Sequence, residues 1–341
     1  MSTTKPTLDP ERRRALDATR LNALVAAHAP ETPRELVTFA GGVALVGDRD
    51  LWVLPVDAGR LGAVLAWVDS VAADREFDVV TDEAALIARR VRGLDPVVRV
   101  WQISGRSLVA AEAAPVVPAP DPPDAPELVA ALRAAGLDVV TEYGVVTGEV
   151  KGLEIARIVA GDPRPHLLIG VGVFDQGAFS ALHADRTLDG IADPDRLVAD
   201  LVAVRDRIAS HRGPGADPHM ANRLVRPRWL RASALASPHL VGVRSLEPVP
   251  LPDPRGGLNE HAPAAALGRD ESAASVLAVF SVGVDLEMVP IASDLLATHR
   301  AERALLVLPR RDMHPAIGRA ATRLAVPTAL VALEGEWSQV V

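Results

Sequence analysis

Asp138, Glu149 and Lys151 are the residues of this chain best suited by type and spacing to do chemistry. Tyr143-Gly144 separates two alternating runs, and glycine in a two-residue turn supplies the positive φ that a hairpin requires. If that turn is tight, Asp138 lies opposite Glu149, Val140 opposite Thr147 and Glu142 opposite Val145. Side chains alternate along a strand, so Asp138, Glu142, Glu149 and Lys151 share one face, while Leu137, Val139, Val146 and Val150 share the other. Two carboxylates set face to face repel unless something positive lies between them. A divalent metal such as Mg2+, held by Asp138 and Glu149, would meet that need, with Lys151 placed to stabilise developing negative charge or orient a water. A hairpin with one solvated face produces the same alternation with no chemistry at all. Both readings stand on the sequence.

Two further groups of residues could bind ligands. Seven arginines, Arg205, Arg207, Arg212, Arg223, Arg226, Arg228 and Arg231, lie in one stretch with Asn222 and Trp229, against only Asp206 and Asp217. Guanidinium forks grip phosphates and a tryptophan can stack on a base, so this stretch could bind nucleic acid. The plainer reading is a solvated arginine-rich helix with Trp229 in the core, and His211 and His219 as surface residues. Asp285 and the run Arg310, Arg311, Asp312 each follow an expected strand, where parallel sheets gather ligands. They would form a pocket for a small, phosphorylated ligand, with Asp82 and Glu83 in the matching place earlier in the chain. Asp312 could equally cap the helix that begins near Pro315. The glycines from Gly170 to Gly177 do not have the dinucleotide-loop spacing and are expected to form a turn.

The elements that must position these residues are marked off by proline. Pro115 to Pro126 reads as an extended linker, and Pro248 to about Gly268 as a second one. The expected organisation is an N-terminal α/β domain (1–114), a linker (115–126), a middle α+β domain with a basic helical extension (127–247), a linker (248–271) and a C-terminal α/β domain (272–341). The fold class is α/β, with two outer Rossmann-like segments flanking a middle helix, three-stranded meander and helix. In the first segment, 36–46 and 51–56 read as a hairpin, followed by helix 61–73, strand 77–81, helix 83–93 and strand 97–103. The last segment has the rhythm strand 276–281, helix 290–299, strand 304–308, helix 315–324 and strand 328–333. Ile87-Ala88-Arg89 with Leu94-Asp95-Pro96 parallels Ile317-Gly318-Arg319 with Leu324-Ala325-Val326-Pro327, which suggests a duplication. In the middle, helix 127–135 stops at Gly136. Strands follow at 137–142, 145–150 with a continuation toward 159, and 166–170, then helices at 177–183 and 194–211.

On these residues the middle segment resembles the PD-(D/E)XK nuclease superfamily over about Glu127 to His211. Asp138 opens one strand and Glu149-Val150-Lys151 lies on the next, with helices on either side. The resemblance implies metal-dependent phosphodiester cleavage, with Asp138 and Glu149 as ligands, Lys151 beside the attacking water and Glu127 as the optional helical acid. Leu137 stands where that family often has proline. Glu154 would join the cluster only if Gly152 forms a bulge.

Composition narrows the classes. The absence of cysteine excludes disulfides, thiolate catalysis and cysteine-bound metals. Only Lys5 and Lys151 are lysines among 36 basic residues, and the net charge of −8 repels nucleic acid except at a local basic patch. No signal-peptide pattern opens the chain and no apolar run is long enough to span a bilayer, so a cytoplasmic location and no membrane partner are expected. No P-loop, H-E-x-x-H or G-x-S-x-G pattern occurs. A metal-dependent phosphodiesterase in the middle domain and a non-enzymatic ligand-sensing or interaction module using the outer strand-end loops are the two functional expectations.

Overall fold

The computed structural model describes residues 9–30, 33–73, 75–162, 164–170, 186–188, 194–254, 257 and 260–339. The chain is an α/β protein in two units: Met1–Val116 with Val284–Arg300 and His314–Thr328, and Val117–Gly283 with Ala301–Met313 and Ala329–Val341.

In the first unit, α1 (Pro10–His28) is a helix that the polar opening of the sequence hides. Asp9 accepts the Arg12 N–H and Pro10 sits at the first turn. Ala18, Leu21, Leu24 and Val25 form its buried stripe at helical spacing and pack on Val43, Leu45, Trp52 and Leu54. Then come β1 (Arg34–Phe39), β2 (Gly42–Gly47), β3 (Leu51–Pro55), α2 (Leu61–Val71), β4 (Phe77–Thr81), α3 (Ala84–Arg90), β5 (Val98–Ser104) and β6 (Ser107–Ala110). The sheet follows chain order, antiparallel at β1–β2 and β2–β3, parallel at β3–β4 and β4–β5, antiparallel at β5–β6. The expected single strand 36–46 is two, because the chain turns at Ala40-Gly41 and Phe39 pairs with Gly42.

The second unit contains α4 (Pro126–Ala134), β7 (Asp138–Glu142), β8 (Val145–Val150), β9 (Leu153–Val159), β10 (His166–Ile169), β11 (Arg186–Leu188), α5 (Pro194–Ala209) and α6 (Arg226–Ala236). Its first sheet is an antiparallel meander in the order β11-β10-β9-β8-β7, so five strands stand where three were expected. Lys151 and Gly152, at φ 49° and 76°, form the tight turn that ends β8. Val171 to Gly177 and the expected helix at 177–183 lie outside the described residues. α4 and α5 cover one face of the meander through Leu128, Leu132, Leu197 and Leu201, packed on Val146, Val150 and Ile158.

β12 (Ser245–Val249), β13 (Ala264–Arg269) and β14 (Ser275–Phe280) follow, then α7 (Met288–His299), β15 (Arg303–Leu308), α8 (Pro315–Ala321) and β16 (Thr328–Ala332). β13 falls inside the proline-rich stretch expected as a linker, and β12 runs into its start at Pro248. β12 is an edge strand, where Pro248 sits without breaking the ladder. Its sheet belongs to the second unit, whereas α7 and α8 belong to the first, so the expected C-terminal domain is shared between the two.

The two ends of the chain repeat one topology. β1-β2-β3-α2-β4-α3-β5 and β12-β13-β14-α7-β15-α8-β16 have the same strand order, with two antiparallel pairs followed by a parallel one. Inside the first unit the helices of the two repeats meet, α2 against α7 and α8, α3 against α7. The turns after α3 and α8 pair reciprocally: Asp95 N–H donates to Arg323 O at 2.8 Å and Ala325 N–H to Gly93 O at 2.9 Å. Buried Arg89 and Asp294 pair at 2.7 Å.

α2 also closes tightly on the start of α7. A Cβ on Gly62 would stand 2.2 Å from the Leu286 carbonyl oxygen, a backbone atom that cannot swing away. Alanine at position 62 should gain up to about 1 kcal/mol of helix propensity and lose about 1–3 kcal/mol to overpacking. The expected result is a net loss of stability in urea denaturation; a more stable Gly62→Ala variant would contradict this packing.

Candidate functional site

Tyr143 and Gly144 have φ of 53° and 73°, and the hairpin has the register the sequence implies, with Asp138 paired to Glu149 and Val140 to Thr147. What the sequence does not reveal is that α6 covers this face. Arg228 and Arg231, three residues apart on α6, point at the meander, while Trp229, Leu230 and Ala234 enter the core of the last sheet. Glu142 and Glu149 are therefore buried. Arg228 donates to Glu149 Oε1 at 2.9 Å and pairs with Glu142, which also pairs with Arg231. Thr147 Oγ1 lies 3.2 Å from Val140 O. Burial pushes the Glu149 carboxyl up, with Arg228 and Arg231 opposing it. Burial also works against charge on Arg228, yet Glu149 and Glu142 raise it overall and keep it cationic.

A register shift at Gly148/Glu149 brings Glu149 opposite Glu154. The third carboxylate thus joins the cluster through a bulge at Ile155, not at Gly152. Arg157 holds it with two bonds of 2.7 Å.

The other three candidates lie in different surroundings. Asp138 is exposed at the open end of the hairpin, and Glu127 is exposed on α4. Lys151, in its turn, pairs with Glu336 and lies 5.8 Å from the centre of the Trp229 ring. Among the described residues no group of three or more histidine, aspartate or glutamate side chains is arranged to hold a metal ion. The donor set of Asp138 and Glu149 does not fit Mg2+: the Glu149 carboxylate is held by Arg228, and partial burial raises the Asp138 carboxyl, which disfavours the charged form a metal needs. The cavity beside the carboxylates, lined by Glu142, Tyr143, Arg228, Arg231 and Leu251, has a volume of ≈ 20 Å³. That is room for one water.

The arginine stretch also turns largely inward. Arg212 is fully buried, donates to the carbonyls of Leu224 (3.1 Å) and Lys151 (2.8 Å) and to Ala221 O, and stacks 4.2 Å from the Trp229 ring. Burial lowers its pKa to about 9. Arg205 bonds Ala135 O and Asp206. Arg207 and Arg223 are exposed and Arg226 is half-buried. His211 and His219 are stacked at 3.9 Å, and His219 Nδ1 accepts the Ala221 N–H. His219 has its basicity lowered by burial and by His211.

At the strand ends the two repeats share a brace. Ala58 N–H donates to Glu83 Oε2 at 3.1 Å, tying the loop after β3 to the loop after β4. Gly283 N–H donates to Asp312 Oδ2 at 2.8 Å, tying the loop after β14 to the loop after β15. Asp312 therefore braces a loop, and His314 caps α8 by accepting the Ala316 N–H. Asp82 pairs with Arg20. Asp285 lies in the first unit, where it accepts the Glu287 N–H at 3.0 Å. Arg310, Arg311 and Asp312 lie in the second. Arg310 N–H is held by Glu334 at 3.0 Å, and Arg311 is 3.7 Å from Asp312. Glu334, Glu336 and Trp337 escaped sequence reasoning, because each lies outside any periodic run or recognisable motif, whereas Glu287 belongs to the strand-end run Ser281 to Glu287 expected beside Asp285. No helix of the described residues is long and apolar enough to cross a membrane.

Compared with known proteins, the chain matches no family model, no curated protein and no solved structure. Function must therefore be argued from this geometry.

Proposed function

We propose that the chain is a non-enzymatic ligand-sensing protein in which ligand docks on the strand-end loops within a single α/β repeat. The observation that carries this reading is the brace found in both repeats, Glu83 on Ala58 and Asp312 on Gly283. A loop fixed by a carboxylate before ligand arrives loses less entropy on binding, which is what a recognition site requires. The carboxyl edge of parallel strands is also where α/β sheets most often take up ligands. Thermal denaturation with a panel of metabolites tests the proposal. A true ligand at 100 times its Kd adds about 2.7 kcal/mol of stability, and a panel without any stabilising compound would overturn it.

The metal-dependent phosphodiesterase reading has one observation in its favour, the Asp138–Glu149 register. Glu149 already neutralised by Arg228, and a neighbouring cavity the size of a water, weigh against it. Incubating the chain with Mg2+ and with DNA or RNA should yield no cleavage. Cleavage that disappears in both Glu149→Ala and Lys151→Ala would restore the catalytic reading.

A further inference from the structure

We infer that Arg223, Arg226, Arg310 and Arg311 form a binding site for a small phosphorylated anion at the carboxyl edge of the last sheet. This rests on the ligand-sensing reading and names its ligand class. All four residues belong to the second unit. They are brought together by the short segment Glu334 to Trp337 that follows β16. Glu334 holds the backbone N–H of Arg310 at 3.0 Å, and the Arg226 guanidinium lies 5.6 Å from the centre of the Trp337 ring. Arg226 is the first residue of α6 and donates Nε–H to Asn222 O at 2.8 Å, which leaves the rest of its fork available.

The charges of this cluster are poorly matched. Among the described residues Arg223, Arg226 and Arg310 form no ion pair. Arg311 has Asp312 at 3.7 Å, and Asp312 already accepts the Gly283 N–H. Burial lowers the pKa of Arg226, and Arg311 and Arg223 lower it further by crowding like charge against it. α6 adds to this positive field. Its first turn holds no acid and its amino end has no side-chain cap, so the positive end of the helix dipole adds to the field of the arginines. Four guanidiniums with a single paired carboxylate, Asp312, suit an anion with several oxygens in fork geometry, which a phosphate group offers.

The ligand should be small. The chain as a whole carries a net charge of −8, which repels an extended polyanion. Arg212, Arg228 and Arg231 are buried in internal contacts, so they cannot extend the patch along a nucleic acid. Asp312 and Glu334 border the cluster and confine the favourable region further.

Isothermal titration of the full chain with inorganic phosphate, pyrophosphate and a nucleoside triphosphate at low salt tests this. Binding of at least one of them is expected. It should weaken tenfold or more in Arg226→Gln and Arg311→Gln and stay unchanged in Arg207→Gln, an exposed arginine of α5. Arg311 is 62% exposed, so Arg311→Gln carries the test if circular dichroism finds Arg226→Gln unfolded. No binding by the wild type, or undiminished binding by Arg311→Gln, would overturn the inference. So would a single-stranded oligonucleotide that competes as tightly as pyrophosphate. If a neutral metabolite stabilises the chain while none of the phosphates binds, this inference fails and the ligand-sensing proposal survives. If no compound of any class binds, both fail.

Discussion

Alanine in place of Glu142 should lower the stability of the chain by about 3–5 kcal/mol, the usual result of removing one partner from a buried ion pair. Glu142 is 9% exposed and pairs with both Arg228 and Arg231, themselves largely buried. Without it Arg231 keeps only the Ala265 carbonyl at 3.2 Å, and Arg228 keeps Glu149. Two desolvated guanidiniums would then share one carboxylate. Urea denaturation measures the loss, and a change below about 1 kcal/mol would mean that the network does not hold α6 in place. The same measurement on Glu149→Ala discriminates between the two functions. Active sites are commonly strained, so removal of a catalytic acid tends to leave stability unchanged or to raise it. Replacing Glu142, Glu149, Arg228 and Arg231 together by apolar residues of similar volume should recover most of the lost stability, since no buried charge would then lack a partner.

The second large effect concerns pH. Glu287 lies beside the start of α2, where its Oε1 accepts the Gly62 N–H at 2.8 Å, and its carboxyl is pushed up to about 8. Desolvation is the main cause; the Gly62 and Ala63 N–H groups and Arg90 pull the other way, and Asp285 adds to the rise. A carboxyl raised in the folded state binds a proton more tightly there than in the unfolded chain, so its contribution is fully present below the ordinary glutamate range. Stability is then lost as pH climbs from about 4.5 to about 8, by an amount on the order of a few kcal/mol. Glu287→Gln should remove this dependence. Near pH 5 the variant and the wild type should unfold at similar urea concentrations, and at pH 9 the variant should be the more stable. Parallel pH profiles for the two proteins would rule out a buried, protonated Glu287.

Legibility in the sequence followed the range of the interactions involved. The Tyr143-Gly144 hairpin was legible to the residue, because turn chemistry and alternation are local. The strand and helix succession from β3 to β5 and from β14 to β16 was legible too, since apolar runs such as Val276 to Phe280 and Leu305 to Leu308 are long enough to read. α1 was missed because Glu11, Arg12, Arg13 and Arg14 hide a buried stripe that begins only at Ala18. The strands at Pro248 and Ala264 were missed because proline suggests a linker, and only the edge position of β12 makes it tolerable. The candidate catalytic cluster was legible in register but not in environment. Alternating charge identifies which side chains share a face, but not that a helix about 80 residues away will cover it with Arg228 and Arg231. Lys151 went the same way, since its partner Glu336 is 185 residues distant.

The chain passes between its two units at residues 116–117, 283–284, 300–301, 313–314 and 328–329. On the ribosome this imposes an order. α2 and α3 emerge with apolar faces that only α7 and α8 can cover, about 200 residues later. At about 5–20 residues per second that is a wait on the order of 10–40 s. The early part of the nascent chain therefore has to stay soluble with those faces exposed, and a product truncated before residue 284 would keep them exposed permanently. Such fragments are natural clients for chaperones and proteases, while the finished chain, with its last segments threaded back into the first unit, is not.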